Sequence, residues 1–191
     1  MKNLTNLEQL EHVLNVFSKR LLPAFLFVAG PQTFIKWQGN ICKQTALMNV
    51  FIIKHFLGDE YKVEAWEGFF EHEKLGSYNH CWNYLVHKDD PKKNIICDFT
   101  STISYMNYSE ENDPMLHLIV DERAVVQHKT NLIAMEELNI EEHLDQPELF
   151  TGLTGRELEQ ELTHLLKVAK LWPESQEDLS SETFTESTII S

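Results

Sequence analysis

Apolar residues recur at three- and four-residue steps between Thr5 and Leu22: Leu7, Leu10, Leu14, Phe17 and Leu21, with Val13 beside them. That period predicts an amphipathic helix. Thr5 and Glu8 have the spacing of a capping box, and Pro23 is expected to stop or kink the helix. Ala29-Gly30-Pro31-Gln32 reads as a turn. A second helix is expected from about Cys42, capped by Gly39 or Asn40. Its apolar side is Ala46, Leu47, Val50, Phe51 and Leu57, and Gly58 suits its C-terminal end.

From Tyr61 the period changes to two. Tyr61, Val63 and Ala65 alternate with Lys62 and Glu64, as on a half-buried strand. A second strand, His80 to Val86, puts His80, Trp82, Tyr84 and Val86 on one face. After the turn Asp89 to Asn94, a third strand runs from Asn94 to Phe99 and closes a hairpin. Leu116 to Val120 and Ala124 to Gln127 are expected as further short strands. The part from about 135 to 172 is acidic (Glu136, Glu137, Glu141, Glu142, Asp145, Glu148) and is expected to be helical. It ends in a helix over Arg156 to Leu171, capped by Thr154 with Glu157. Pro173 to Ser191 has no cation, is rich in Ser, Thr and Glu, and reads as a flexible tail. Helices first and strands afterwards predict an α+β fold with an antiparallel sheet, in one domain over residues 1–172.

Composition narrows the partners. Across 191 residues, sixteen Lys and Arg stand against thirty Asp and Glu, a formal charge of −14. Phosphate binding needs clustered cations, so neither nucleic acid nor an anionic membrane surface is an expected partner. No uninterrupted apolar run reaches the roughly 18 residues of a membrane span, and no export signal is read. Three cysteines are too few for a disulfide framework, which makes a reducing, cytoplasmic setting the expectation. The nine histidines show no metal-binding spacing: there is no HExxH and no CxxC. No metal and no cofactor are expected.

The chemistry gathers on three residues. Cys42 falls in the first turn of the second helix, where the dipole and unpaired N–H groups favour a thiolate. Asp98 is a charge on an apolar strand, costly unless paired. In the hairpin, His80 and Asp98 come close to being cross-strand neighbours, and an aspartate beside a histidine fixes its tautomer and favours its charged form.

A cysteine opening a helix, followed by His and Asp on adjacent strands, resembles the transglutaminase-like superfamily of papain-type cysteine enzymes. Cys42 and His80 are 38 positions apart and His80 and Asp98 are 18 apart. The local words His80-Cys81-Trp82-Asn83 and Cys97-Asp98-Phe99-Thr100 are similar too, and the match covers about residues 37 to 101. The resemblance implies a papain/transglutaminase-like core and acyl transfer on an amide bond of a peptide or protein. Cys42 is then the nucleophile, His80 the acid and base, and Asp98 the residue that orients His80. For the oxyanion it implies the Cys42 backbone N–H and a side-chain donor ahead of the cysteine, Gln38 first, then Trp37 and Asn40. Trp37, Asn40 and Trp82 are the candidate substrate contacts. Protease or amidase/deamidase chemistry is the leading expectation. The alternatives are a transglutaminase or other acyltransferase, and a catalytically silent binding or regulatory module. Lys43 departs from the family, which often has an aromatic residue directly after the cysteine. Cys81 is expected to point away from His80 and to serve packing, as is Cys97. The oligomeric state stays open.

Overall fold

The computed structural model describes residues 6–37, 40–72, 76–99, 115–118 and 132–172. The chain opens with a 24-residue helix, α1 (Asn6–Ala29). Pro23 does not stop it. A π-helical turn over Phe17–Leu21 precedes the proline, and the Leu22 N–H reaches the Phe17 carbonyl. The wider turn re-pairs carbonyls where the proline ring would clash and donate nothing, so the helix continues. Leu10, Val13, Leu14, Phe17, Leu22 and Leu26 are buried on its inner side. By length and apolarity α1 would suffice to cross a membrane, a test that core helices also pass. Thr5, its expected cap, lies outside the described residues.

Instead of a turn, Pro31–Lys36 forms a short helix, α2, with the proline at its start. Gly30 before it is needed for close approach: a β-carbon there would lie 2.6 Å from Thr151 Cβ.

Next comes α3 (Cys42–Leu57). Its N-cap is Ile41, with no side-chain cap, and not Gly39 or Asn40. Gly58 closes its C-terminal end in a right-handed conformation. The expected apolar side is too narrow, because Gln44, Thr45, Met48, Asn49, Ile52 and Ile53 are buried as well. The helix is enclosed by α1, by the sheet and by α5 (Gly155–Val168). Buried polar groups on such a helix need partners. Ser18 Oγ donates to Asn49 Oδ1 at 3.1 Å, and Thr45 Oγ1 donates to the Ile41 carbonyl at 2.8 Å.

Among the described residues five antiparallel strands form one sheet: β1 (Tyr61–His72), β2 (Gly76–His87), β3 (Ile95–Asp98), β4 (Met115–Leu118) and β5 (Leu132–Glu137), in the order β4-β3-β2-β1-β5. Alternation works as expected. Tyr61, Val63, Ala65, Cys81, Leu85, Ile95 and Cys97 join the main core on the α3 side. Trp82, Tyr84 and Ile96 form a second cluster on the other face, with Trp66, Val86 and Met135. Asn83 binds sheet to helix: its Nδ2 donates to the Ala46 carbonyl at 2.8 Å and to the Glu64 carbonyl at 3.3 Å.

The acidic part does not begin as a helix. Leu132–Glu137 is an edge strand on β1, and Glu136 and Glu137 face solvent there. Beyond it, α4 (Ile140–Leu144), a 3-10 turn (Pro147–Phe150) and α5 follow. Glu141, Glu142, Asp145 and Glu148 are exposed, as a solvated acidic surface should be. Arg156 on α5 pairs with Glu141 and, at 3.2 Å, with Asp145. The expected strand Ala124–Gln127 and the tail from Pro173 lie outside the described residues. Thr154 and Glu157 make the expected capping box on α5. Thr154→Ala should therefore lower the unfolding free energy by about 1 kcal/mol in urea titration. An unchanged midpoint would mean that the cap does not hold α5 in place.

Candidate active site

Three elements converge at the start of α3. The Ile41 carbonyl accepts the first helical bond, from Thr45 N–H at 2.9 Å. The N–H groups of Cys42, Lys43 and Gln44 come before that bond and have no acceptor within the helix. They and the helix dipole place positive potential at the Cys42 sulfur.

On β2, alternation sends His80 to the Trp82 face and Cys81 to the α3 face. The ladder of β2 with β3 runs only from Asn83↔Cys97 to Leu85↔Ile95. At His80 and Cys81 the β2 edge therefore lies beyond that ladder, and the first turn of α3 meets it there. The groups that act on the Cys42 thiol are the thiol and N–H of Cys81 and the His80 ring.

The same register puts Asp98 opposite Trp82 and diagonal to His80, on one face. His80 Nε2 lies 3.0 Å from Asp98 Oδ1 and 3.0 Å from Oδ2. With Nε2 committed to the carboxylate, Nδ1 is the ring nitrogen that can serve Cys42. All three groups are buried: Cys42 is 3 % exposed, His80 4 % and Asp98 7 %. The His80 ring also stacks on Trp82, with centroids 6.3 Å apart and planes 24° apart.

Electrostatics separate the two partners. The hydrogen bond from Cys81 pulls the Cys42 thiol down. Burial opposes this, but the His80 hydrogen bond and charge add to it, and Cys42 settles at about 5 instead of 9.0. For His80 the largest effect is burial, which disfavours the charged ring. The Asp98 charge and hydrogen bond, and then Cys42, outweigh it and push His80 up to about 9 from 6.5. Between these values the pair is a thiolate and an imidazolium. Cys81 is held as a neutral thiol, well above its ordinary range, by its bond to Cys42 and by burial. Cys97 is raised too, by burial and then by Asp98.

A second polar cluster braces the first. Lys43 Nζ lies 2.7 Å from Glu67 Oε2, and Asn79 Nδ2 donates to Glu67 Oε1 at 2.5 Å. Glu67 is buried and stands opposite Cys81 in the β1–β2 register. The first turn of α3 is thus tied to β1 beside the thiols. Burial lowers the Lys43 ammonium's hold on its proton, but Glu67 outweighs it and the group stays charged.

The other candidates fall differently. Gln38 lies outside the described residues. Asn40 is exposed two residues ahead of Cys42, and its N–H donates to the Trp37 carbonyl at 2.8 Å. Trp37 ends α2, half-buried against the main core. Trp82 is fully enclosed in the second cluster and backs the His80 ring. Cys81 is more than packing, because it is the largest influence that lowers the Cys42 thiol. Cys97 is a core residue, as expected. Among the described residues no group of three or more His, Cys, Asp or Glu could hold a metal ion.

The fold and this cluster together define an α+β protein with an antiparallel sheet and a buried Cys–His–Asp arrangement at a helix start. Comparison of the chain with known protein families, curated proteins and solved structures gives no match.

The thiolate is the reactive form, so alkylation of Cys42 should rise with pH through about 5 and then level off. His80→Ala should move that midpoint toward the ordinary thiol value, as read by peptide mapping of iodoacetamide labelling. A wild-type midpoint near 9.0 would show that Cys42 carries no stabilised charge.

Proposed function

We propose that this protein is a cysteine-dependent acyl-transfer enzyme with a papain/transglutaminase-like core, acting on an amide bond as a protease or an amidase/deamidase. The observation that carries the reading is the His80 ring, bonded at 3.0 Å to Asp98 and also to a cysteine at the start of a buried helix. The resemblance over residues 37 to 101 points the same way.

In this reading the Cys42 sulfur attacks the carbonyl carbon. A C–S bond forms and the π electrons move onto oxygen. The Cys42 N–H, aimed by the helix start, and the Gln38 side chain are the proposed donors to that oxyanion. As the C–N bond breaks, His80 gives its proton to the departing amine. His80, now neutral, then takes a proton from water or another acceptor that attacks the thioester. The acyl group leaves and the imidazolium returns. Asp98 holds the ring in position and stabilises its charge. Lys43 and Glu67 fix the helix turn that carries the nucleophile. Asn40 and Trp37, just ahead of it, remain the proposed substrate contacts. Water as acceptor gives hydrolysis, and an amine gives transglutaminase-type transfer. The proposed setting is the cytoplasm, with a peptide or protein substrate and no role on nucleic acid or membrane.

A catalytically silent binding module on the same core is the second reading. The observation that favours it is the 3 % exposure of Cys42.

Turnover is to be sought with peptide-amide and protein libraries read by mass spectrometry. Cys42→Ala should abolish turnover and leave the fold intact. Asp98→Asn should slow it by about two to four orders of magnitude. Turnover that persists in Cys42→Ala would remove Cys42 as nucleophile, and an unchanged rate in Asp98→Asn would remove Asp98 from the mechanism.

A further inference from the structure

Cys81 has no step in the acyl-transfer scheme, yet it is fully buried against the nucleophile. It is the strongest influence on the Cys42 thiol, through both its own thiol and its backbone N–H. The contact is fixed from both sides. Cys42 sits on the first turn of α3, and Lys43, the next residue, is clamped to Glu67 at 2.7 Å. Glu67 stands directly opposite Cys81 in the β1–β2 register. All three cysteines are free thiols, and Cys97 lies on β3 within the main core. The clamp and the register hold two buried thiols beside each other, as a disulfide with its sulfurs about 2.05 Å apart requires.

We propose that Cys42 and Cys81 form a reversible disulfide on exposure to a hydroperoxide, and that this bond switches off the nucleophile. The regulatory consequence rests on the reading of Cys42 as the nucleophile; the bond itself does not.

The chemistry balances with hydrogen peroxide as the named oxidant. The Cys42 thiolate attacks one peroxide oxygen, an S–O bond forms and the O–O bond breaks. The hydroxide released takes the proton of His80 and leaves as water, and Cys42 becomes a sulfenic acid. The Cys81 sulfur then attacks the Cys42 sulfur. The S–S bond forms and the S–O bond breaks. The departing hydroxide takes the Cys81 proton as a second water. Two thiols lose two electrons and one peroxide gains them. A dithiol reductant reverses the change.

The order of events follows from charge. While Cys42 is a thiolate, the hydrogen bond to it, burial and then its charge keep Cys81 protonated and unreactive. A sulfenic acid is neutral, so the first oxidation removes the hold of the Cys42 anion on the Cys81 proton and lets Cys81 act as the resolving thiol. A buried neighbouring thiol also intercepts the sulfenic acid before it reaches the irreversible sulfinic state.

The test treats the full chain with hydrogen peroxide, blocks remaining thiols and maps the peptides by mass. The expected product links Cys42 to Cys81, leaves Cys97 as a thiol, and regains rapid Cys42 alkylation after dithiothreitol. Cys97→Ala should keep the link. In Cys81→Ala the link should vanish and Cys42 should run on to sulfinic acid. Wild-type protein that gives Cys42 sulfinic acid with Cys81 still free overturns the proposal, and so does a link between Cys81 and Cys97. That wild-type map decides the matter even if Cys81→Ala fails to fold. Amide turnover without the link would fail the switch alone, and the link without turnover would fail the acyl-transfer reading alone.

Discussion

A carboxylate with 7 % exposure has to be matched by positive charge, and Asp98 meets that demand through His80. Much of the local architecture follows from this pairing. The two residues must share a sheet face, which the β2–β3 register supplies. The imidazolium then needs a counter-charge on its other side, and the first turn of α3 brings the Cys42 sulfur there. Removing His80 leaves two buried anions without compensation, so the cluster constrains the packing of α3 as much as it enables chemistry.

The scaffold keeps this arrangement fixed. α3 is enclosed by helices on one side and by the sheet on the other, and its buried polar groups are used as ties. Asn83 joins β2 to the Ala46 carbonyl and Ser18 joins α1 to Asn49. Lys43 and Glu67 join the helix start to β1. These bonds lie within four turns of helix, so a shift of α3 along its axis would break several at once. The position of Cys42 is set by the core and does not depend on an exposed loop.

Elements with a clear period were legible in the sequence, as the alternation of β1 and β2 and the capping box of α5 illustrate. The pairing of His80 with Asp98 followed from the hairpin and from the cost of a lone charge on an apolar strand. What escaped has physical reasons. The continuation of α1 through Pro23 depends on a π turn, which residue identity at the proline does not reveal. The edge strand Leu132–Glu137 was hidden by acidic composition, because solvent-facing glutamates suit an edge strand as well as a helix. The Lys43–Glu67 tie could have been found: alternation puts Glu67 on the α3 face with Val63 and Ala65, where a carboxylate demands a cation. The contact of Cys81 with Cys42 could not, since parity alone turns Cys81 away from His80.

The central claim is that His80 is an imidazolium, held between Asp98 and the Cys42 thiolate. Nitrogen chemical shifts of the His80 ring, followed by NMR as pH rises, test it most directly. The account predicts both ring nitrogens protonated at pH 7, with loss of the proton only near 9. A neutral ring at pH 7, titrating near the ordinary 6.5, would contradict it.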